Sequence, residues 1–316
     1  MISRVLDRAL RTAATGKLLV LAFHDILQVE DPLQPDAIDV GRFEMLLEWA
    51  QNNFEIVALE HALHLDEVGR SARVDRPARA CLTFDDGYPS WVQTVMPRLL
   101  EKGMHATFFV STGSLQTGIH WHQRLLRIVR ALPKNEPLRI DALRLNGMTQ
   151  AGQLQSIQLL EDALKQLCPA ERELFLDQAE ALLNPGDRES ALDTSGLHRL
   201  AQAGFTIGAH SHSHPILTQV SLADAEREII QSRDILAREL GIPIRGFAYP
   251  NGRPELDFNQ QHVEMLKRSG FTFAVTTAMG WVKPGDDPML LRRFTPWGNS
   301  PLACSRQALF NLAFSG

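Results

Sequence analysis

Short apolar runs of strand length, each passing abruptly into His, Asp or Pro-Asn-Gly, constrain the fold of this 316-residue chain more than any other feature. Lys17–Phe23 ends at His24-Asp25, and Ala80–Phe84 runs into Asp85-Asp86-Gly87. Phe205–Ala209 runs into His210-Ser211-His212-Ser213-His214-Pro215, and Gly246–Tyr249 into Pro250-Asn251-Gly252. Segments of helical spacing lie between them. Arg42–Asn52 puts Phe43, Leu46, Leu47 and Ala50 on one face, and Trp91–Lys102 stops at Gly103. Helices are also expected at Ser195–Ala203, Leu222–Leu240 and Glu255–Ser269. Ala106–Val110, Phe271–Thr276 and Leu290–Phe294 complete a set of seven or eight strands. Strand and helix in alternation predict an α/β fold with parallel strands. A closed or distorted β/α barrel fits the count. The absence of a glycine-rich loop after the first strand argues against a dinucleotide-binding sheet.

The rhythm breaks from about Gly118 to Leu192, which reads almost entirely as helix punctuated by Pro133, Pro137, Pro169 and Pro185. We take it as a helical insertion within one catalytic domain spanning residues 1–316. A net charge of −5 argues against a nucleic-acid binder and fits a neutral or weakly charged substrate. The cysteines, Cys81, Cys168 and Cys304, are odd in number and far apart, so buried free thiols are expected. Arg4, Arg8, Arg11 and Lys17 precede the apolar run Leu18–Phe23. That run is short for a leader, and no small-x-small cleavage site follows it. No stretch approaches the roughly 20 apolar residues of a membrane span. The expectation is no span and a cytoplasmic location.

In barrels, chemistry gathers at the carboxyl ends of the strands. Adjacent carboxylates at Asp85-Asp86 allow a division of labour: one binds a cation, and the other takes a proton from water. Two imidazoles and one carboxylate around an ion leave a position open, as in catalytic sites. His210, His212 and His214 are all candidate ligands, and Pro215 keeps the end of the run out of α-helix.

Thr83-Phe84-Asp85-Asp86-Gly87 resembles the first signature of the polysaccharide deacetylases, also called the NodB-homology or carbohydrate esterase family 4 domain. His210-Ser211-x-x-His214-Pro215 resembles the second signature, whose two histidines bind the metal. Phe247–Gly252 resembles the third, in its aromatic-Pro variant. The resemblance covers about residues 17–113 and 195–295. It implies a distorted barrel of the (β/α)7 type. It implies Asp85 as general base, with Asp86, His210 and His214 holding a divalent ion. Zinc is expected first, and cobalt and nickel also suit the ligands. Tyr249, followed by Pro250, would offer its backbone N–H to an oxyanion.

Two features depart from the common pattern. Arg245 lies near the third signature but at the wrong spacing, so Arg292 or Arg293, with Arg293 favoured, is expected to orient the base. No histidine follows His262, so the Leu-x-His general acid of many members is absent. Phe23-His24-Asp25 resembles the early aromatic-His element of a subgroup that deacetylates exopolysaccharide and poly-N-acetylglucosamine, which makes His24 the expected acid. Trp121, Trp281 and Trp297 are candidate sugar-stacking residues, and His120 and His122 candidate groove residues. The implied activity removes N-acetyl groups from a sugar in a glycan or glycan precursor. O-acetyl ester hydrolysis, non-sugar amide hydrolysis and a non-catalytic glycan-binding barrel remain open at this point.

Overall fold

The computed structural model describes residues 2–68, 78–186 and 191–313. Seven parallel strands follow one another around the sheet: β1 (Leu18–Phe23), β2 (Arg79–Asp86), β3 (Ala106–Val110), β4 (Thr206–Ala209), β5 (Gly246–Ala248), β6 (Phe273–Met279) and β7 (Leu291–Arg293). The two-residue strand Glu55–Ile56 adds to β2. Backbone bonds from Ala22 N–H to the Phe294 carbonyl, 3.0 Å, and from Phe294 N–H to Val20, 2.8 Å, join the last strand to the first. The sheet is thus a nearly closed barrel, as the strand pattern predicts.

Strand alternation assigns each residue to a face. Leu19, Leu21 and Phe23 of β1 and Ala80, Leu82 and Phe84 of β2 belong to the large core that the outer helices cover. Leu18, Val20, Cys81, Phe109, Ala248, Phe273, Val275 and Leu291 meet in a separate apolar cluster on the other face, inside the barrel. Thr83 and Asp85 continue the Cys81 face, and Arg293 continues that of Leu291. The interior is therefore apolar at depth and charged at its carboxyl end. Glycines make room for the filling rings. A Cβ on Gly208 would meet Phe109 at 2.4 Å, and one on Gly246 would meet Phe273 at 2.4 Å.

The segment at 118–192 carries its own core. Helices α1 (Trp121–Ala131), α2 (Gln150–Gln166) and α3 (Pro169–Leu183) pack Leu125, Val129, Leu160, Leu164 and Leu176 together. It is not wholly helical: Leu138–Ile140 and Leu143–Leu145 form an antiparallel hairpin. Residues 187–190, within the expected insertion, lie outside the described residues.

Other expectations shift locally. The helix expected from Glu255 begins only at Gln260, because Glu255 has φ 65° and Asn259 caps the helix. The strand expected at Phe271–Thr276 is Phe273–Met279. Helices Ile2–Ala13 and Pro301–Ala313, which the strand rhythm does not signal, are linked by Ser305 Oγ donating to Asp7 at 2.6 Å. None of the three cysteines is in a disulfide, but Cys168 is only half-buried. No helix among the described residues is long and apolar enough to cross a membrane.

Gly246→Ala is expected to lose about 1–3 kcal/mol of stability by overpacking against Phe273. Phe273→Leu in the same chain should recover part of it, read as the shift in urea midpoint.

Candidate active site

The carboxyl ends of the strands open into a cavity of about 740 Å³. β2 ends on its floor, and its last two residues diverge. Asp85 keeps the extended path of the strand and points inward. Its carboxylate meets Arg293 from β7 in a two-point contact, Nη1–Oδ1 2.9 Å and Nη2–Oδ2 2.7 Å. Both side chains are 2% exposed, so water does not dilute the pair. Arg293 Nε donates to the Thr276 carbonyl at 2.8 Å, which fixes the fork. Burial opposes charge on Asp85, yet the Arg293 guanidinium together with the neighbouring imidazoles of His210 and His24 holds the carboxyl below its usual range.

Asp86 turns away with φ 91°, a left-handed conformation that costs a non-glycine residue free energy. The turn sends its carboxylate toward the residues after β4. Asp86 Oδ1 lies 3.3 Å from His210 Nε2 and 3.4 Å from His214 Nε2. Ser211 and His214 also have positive φ, 58° and 56°. The residue before Pro215 is thus left-handed, not extended as the proline alone would favour. The strain is held from several sides. Ser211 Oγ accepts the His214 N–H at 3.1 Å. Glu228, from α4 (Leu222–Leu240), accepts the His212 and Ser213 N–H groups at 2.9 and 2.7 Å. Arg172 from α3 donates to the carbonyls of Ser213 and His214, with its guanidinium 5.0 Å from the centre of the Trp121 ring. Burial pushes Arg172 down only to about 10, so it stays charged.

Ligand atoms of Asp86, His210 and His214 all lie within 4.8 Å of one another. Donors about 2.0–2.1 Å from a tetrahedral zinc stand about 3.3–3.4 Å apart, which is the spacing seen between the carboxylate and each imidazole. His210 Nδ1 bonds the Ala248 carbonyl at 2.7 Å, leaving the Nε2 lone pair for an ion. The residues present fit a divalent metal. His212 is excluded from the group. Its Nδ1 is 2.9 Å from Thr112 Oγ1.

Burial opposes charge on Asp86, but the imidazoles of His120, His210 and His214 hold its carboxyl well below the usual range. Burial and the neighbouring His210 put His214 well below the ordinary imidazole value. Tyr88, against Asp86, is pushed well above the usual phenol value by burial and by that carboxylate.

The remaining expected residues divide. His24 is exposed at the end of β1 and lines the cavity with Asp25. The Asp25 carboxylate accepts from Ser90 Oγ at 2.6 Å. Tyr249 lines the cavity, but its N–H donates to the Val275 carbonyl at 3.2 Å and so is engaged in the sheet, contrary to the expected oxyanion contact. Pro250 is buried. Arg292 bonds the Met279 carbonyl and Arg245 bonds Glu60, so neither serves Asp85. Trp121 lines the cavity. Trp281 is fully buried with its indole N–H on Ala308, which corrects its reading as a sugar platform, and Trp297 is 63% exposed. His122 is tied to Glu161 at 2.8 Å on the cavity wall. Arg172 and Glu228 were not signalled by sequence: both reach the histidine loop from helices with no motif of their own.

The polysaccharide deacetylase profile matches residues 73–274. The chain belongs to the polysaccharide deacetylase family. Among curated protein sequences none matches it. Solved structures share the fold. A deacetylase from Streptococcus pyogenes, PplD, aligns with TM-score 0.63 and 17% identity over 92% of this chain and 98% of its own. IcaB from Ammonifex degensii gives 0.59 and 18% over 93% and 97%. A de-N-acetylase from Aggregatibacter actinomycetemcomitans gives 0.55 and 15% over 88% and 94%.

Two outcomes are expected. Asp85 has a depressed folded pKa, so its contribution to stability is complete above the unfolded carboxylate value of about 3.9 and is lost as pH falls through the folded value. Asp85→Asn strands a buried guanidinium and should cost about 3–5 kcal/mol at neutral pH. In thermal melts of metal-free protein, the gap from wild type should narrow below about pH 4. Arg172→Ala should weaken metal binding about 10–100-fold, measured by chelator competition, because the His214 carbonyl loses its anchor.

Proposed function

We propose that this polysaccharide deacetylase family hydrolase removes N-acetyl groups from an N-acetylated sugar of a glycan or glycan precursor, with zinc as its metal. The observation that carries this reading is the separation of two adjacent carboxylates. Asp85 is paired with Arg293 on the inner face, and Asp86 turns to the histidines. Asp86, His210 and His214 would hold the ion, which when bound polarises the acyl carbonyl and makes water more acidic.

The chain's own residues complete the reaction. Asp85 stays ionised at neutral pH and is placed beside Asp86, so it takes a proton from the attacking water. Arg293 fixes the orientation of that carboxylate and offsets its charge. His24 faces the same cavity from the neighbouring strand, and its charge is felt at both Asp85 and Asp86. It protonates the leaving amine, the task that the absent Leu-x-His histidine performs in many members of the family. Trp121 gives the insertion side of the cavity an apolar ring for a sugar face.

The test is acetate and free-amine release from N-acetylglucosamine oligomers of graded length. Chelator should abolish release, and one equivalent of zinc should restore it. His24→Ala should retain zinc while losing about 10²–10⁴ in kcat. Acetate release from O-acetylated glycans alone would replace the amidase reading with the esterase one. No release from any acetylated sugar would leave a binding barrel.

A further inference from the structure

His120 caps the amino terminus of α1, where the insertion leaves the mouth of the barrel. It is 5% exposed, and its ring lines the cavity. Nδ1 accepts the His122 N–H at 3.4 Å, so the proton of the neutral ring sits on Nε2. That Nε2 is buried and has no hydrogen-bond partner among the described residues. The ring meets His214 edge-on, 5.5 Å between centroids, and Tyr88 at 6.1 Å. His122, the other histidine of this turn, is already held by Glu161.

A buried donor left without an acceptor is unfavourable unless a ligand supplies one. An acyl carbonyl seated at the Asp86–His210–His214 group would come beside this donor. The Tyr249 N–H is not available to such an oxygen, because it is engaged with Val275. We propose that His120 is a catalytic residue whose Nε2–H donates a hydrogen bond to the carbonyl oxygen of the scissile acyl group. The inference rests on the deacylase reading given above. The bond strengthens as negative charge builds on that oxygen, so it favours the transition state over the bound substrate. No proton leaves the imidazole. Water supplies hydroxide to the acyl carbon and a proton to the amine as the C–N bond breaks. The insertion thereby contributes a reacting-centre contact as well as a wall.

The test compares His120→Asn, which keeps a capping group near the Nδ1 position and removes the Nε2 donor, with His120→Gln, whose amide reaches the Nε2 position. Cobalt-loaded protein is titrated with acetate, which carries the same acyl oxygens, and binding is read from the visible spectrum. Chelator competition gives cobalt affinity in parallel. His120→Asn should weaken acetate about tenfold or more and lower kcat for acetate release about 10²–10³-fold, with cobalt affinity unchanged. His120→Gln should restore much of both. Acetate affinity equal in wild type and His120→Asn, or no acetate binding by wild type, overturns the proposal. So does a loss of cobalt affinity that accounts for the defect, which would make His120 a ligand. Failure of every acetylated sugar as substrate counts against the deacetylase reading, while the acetate titration still judges His120.

Discussion

The buried ion pair of Asp85 with Arg293 joins the second strand of the barrel to the seventh, across 208 residues of sequence. It lies above an apolar interior and below an open cavity, where an unpaired charge of either sign would be costly. Its consequence for chemistry is that Asp85 is occupied. With one carboxylate held inward by a guanidinium, its neighbour can turn outward through a left-handed backbone and face two imidazoles. The pair thus separates two identical side chains into different environments one residue apart, and every functional assignment for this protein rests on that separation.

Part of the backbone strain lies at the same place. Asp86, Ser211 and His214 are non-glycine residues with positive φ, and all belong to the candidate metal centre or its loop. The surroundings that hold this geometry come from unrelated parts of the chain. Glu228 binds the loop from α4, and Arg172 binds it from α3. The inserted helices have their own core, yet Arg172 and His120 bring them to His214. The insertion is part of how the site is shaped, although the sequence resemblance passes over it.

What was legible in the sequence follows from how local each feature is. Asp85, Asp86, His210 and His214 stand at the ends of apolar runs, where strand termination and signature residues coincide in a few positions. Arg293 was found because a resemblance demanded a cation for Asp85. Arg172 and Glu228 were not found, because a helical residue that reaches a loop 42 or 15 positions away leaves no periodic mark. The hairpin at Leu138–Leu145 was read as helix because its Leu-Arg composition suits either state. The Tyr249 N–H was misplaced because only the sheet register shows that Val275 already accepts it.

The direct measurement of the division between the two carboxylates is zinc titration calorimetry of Asp85→Asn beside Asp86→Asn. The account expects Asp85→Asn to take up one equivalent of zinc with near wild-type affinity and Asp86→Asn to lose tight binding. Zinc retained by Asp86→Asn, or lost by a folded Asp85→Asn, would contradict it.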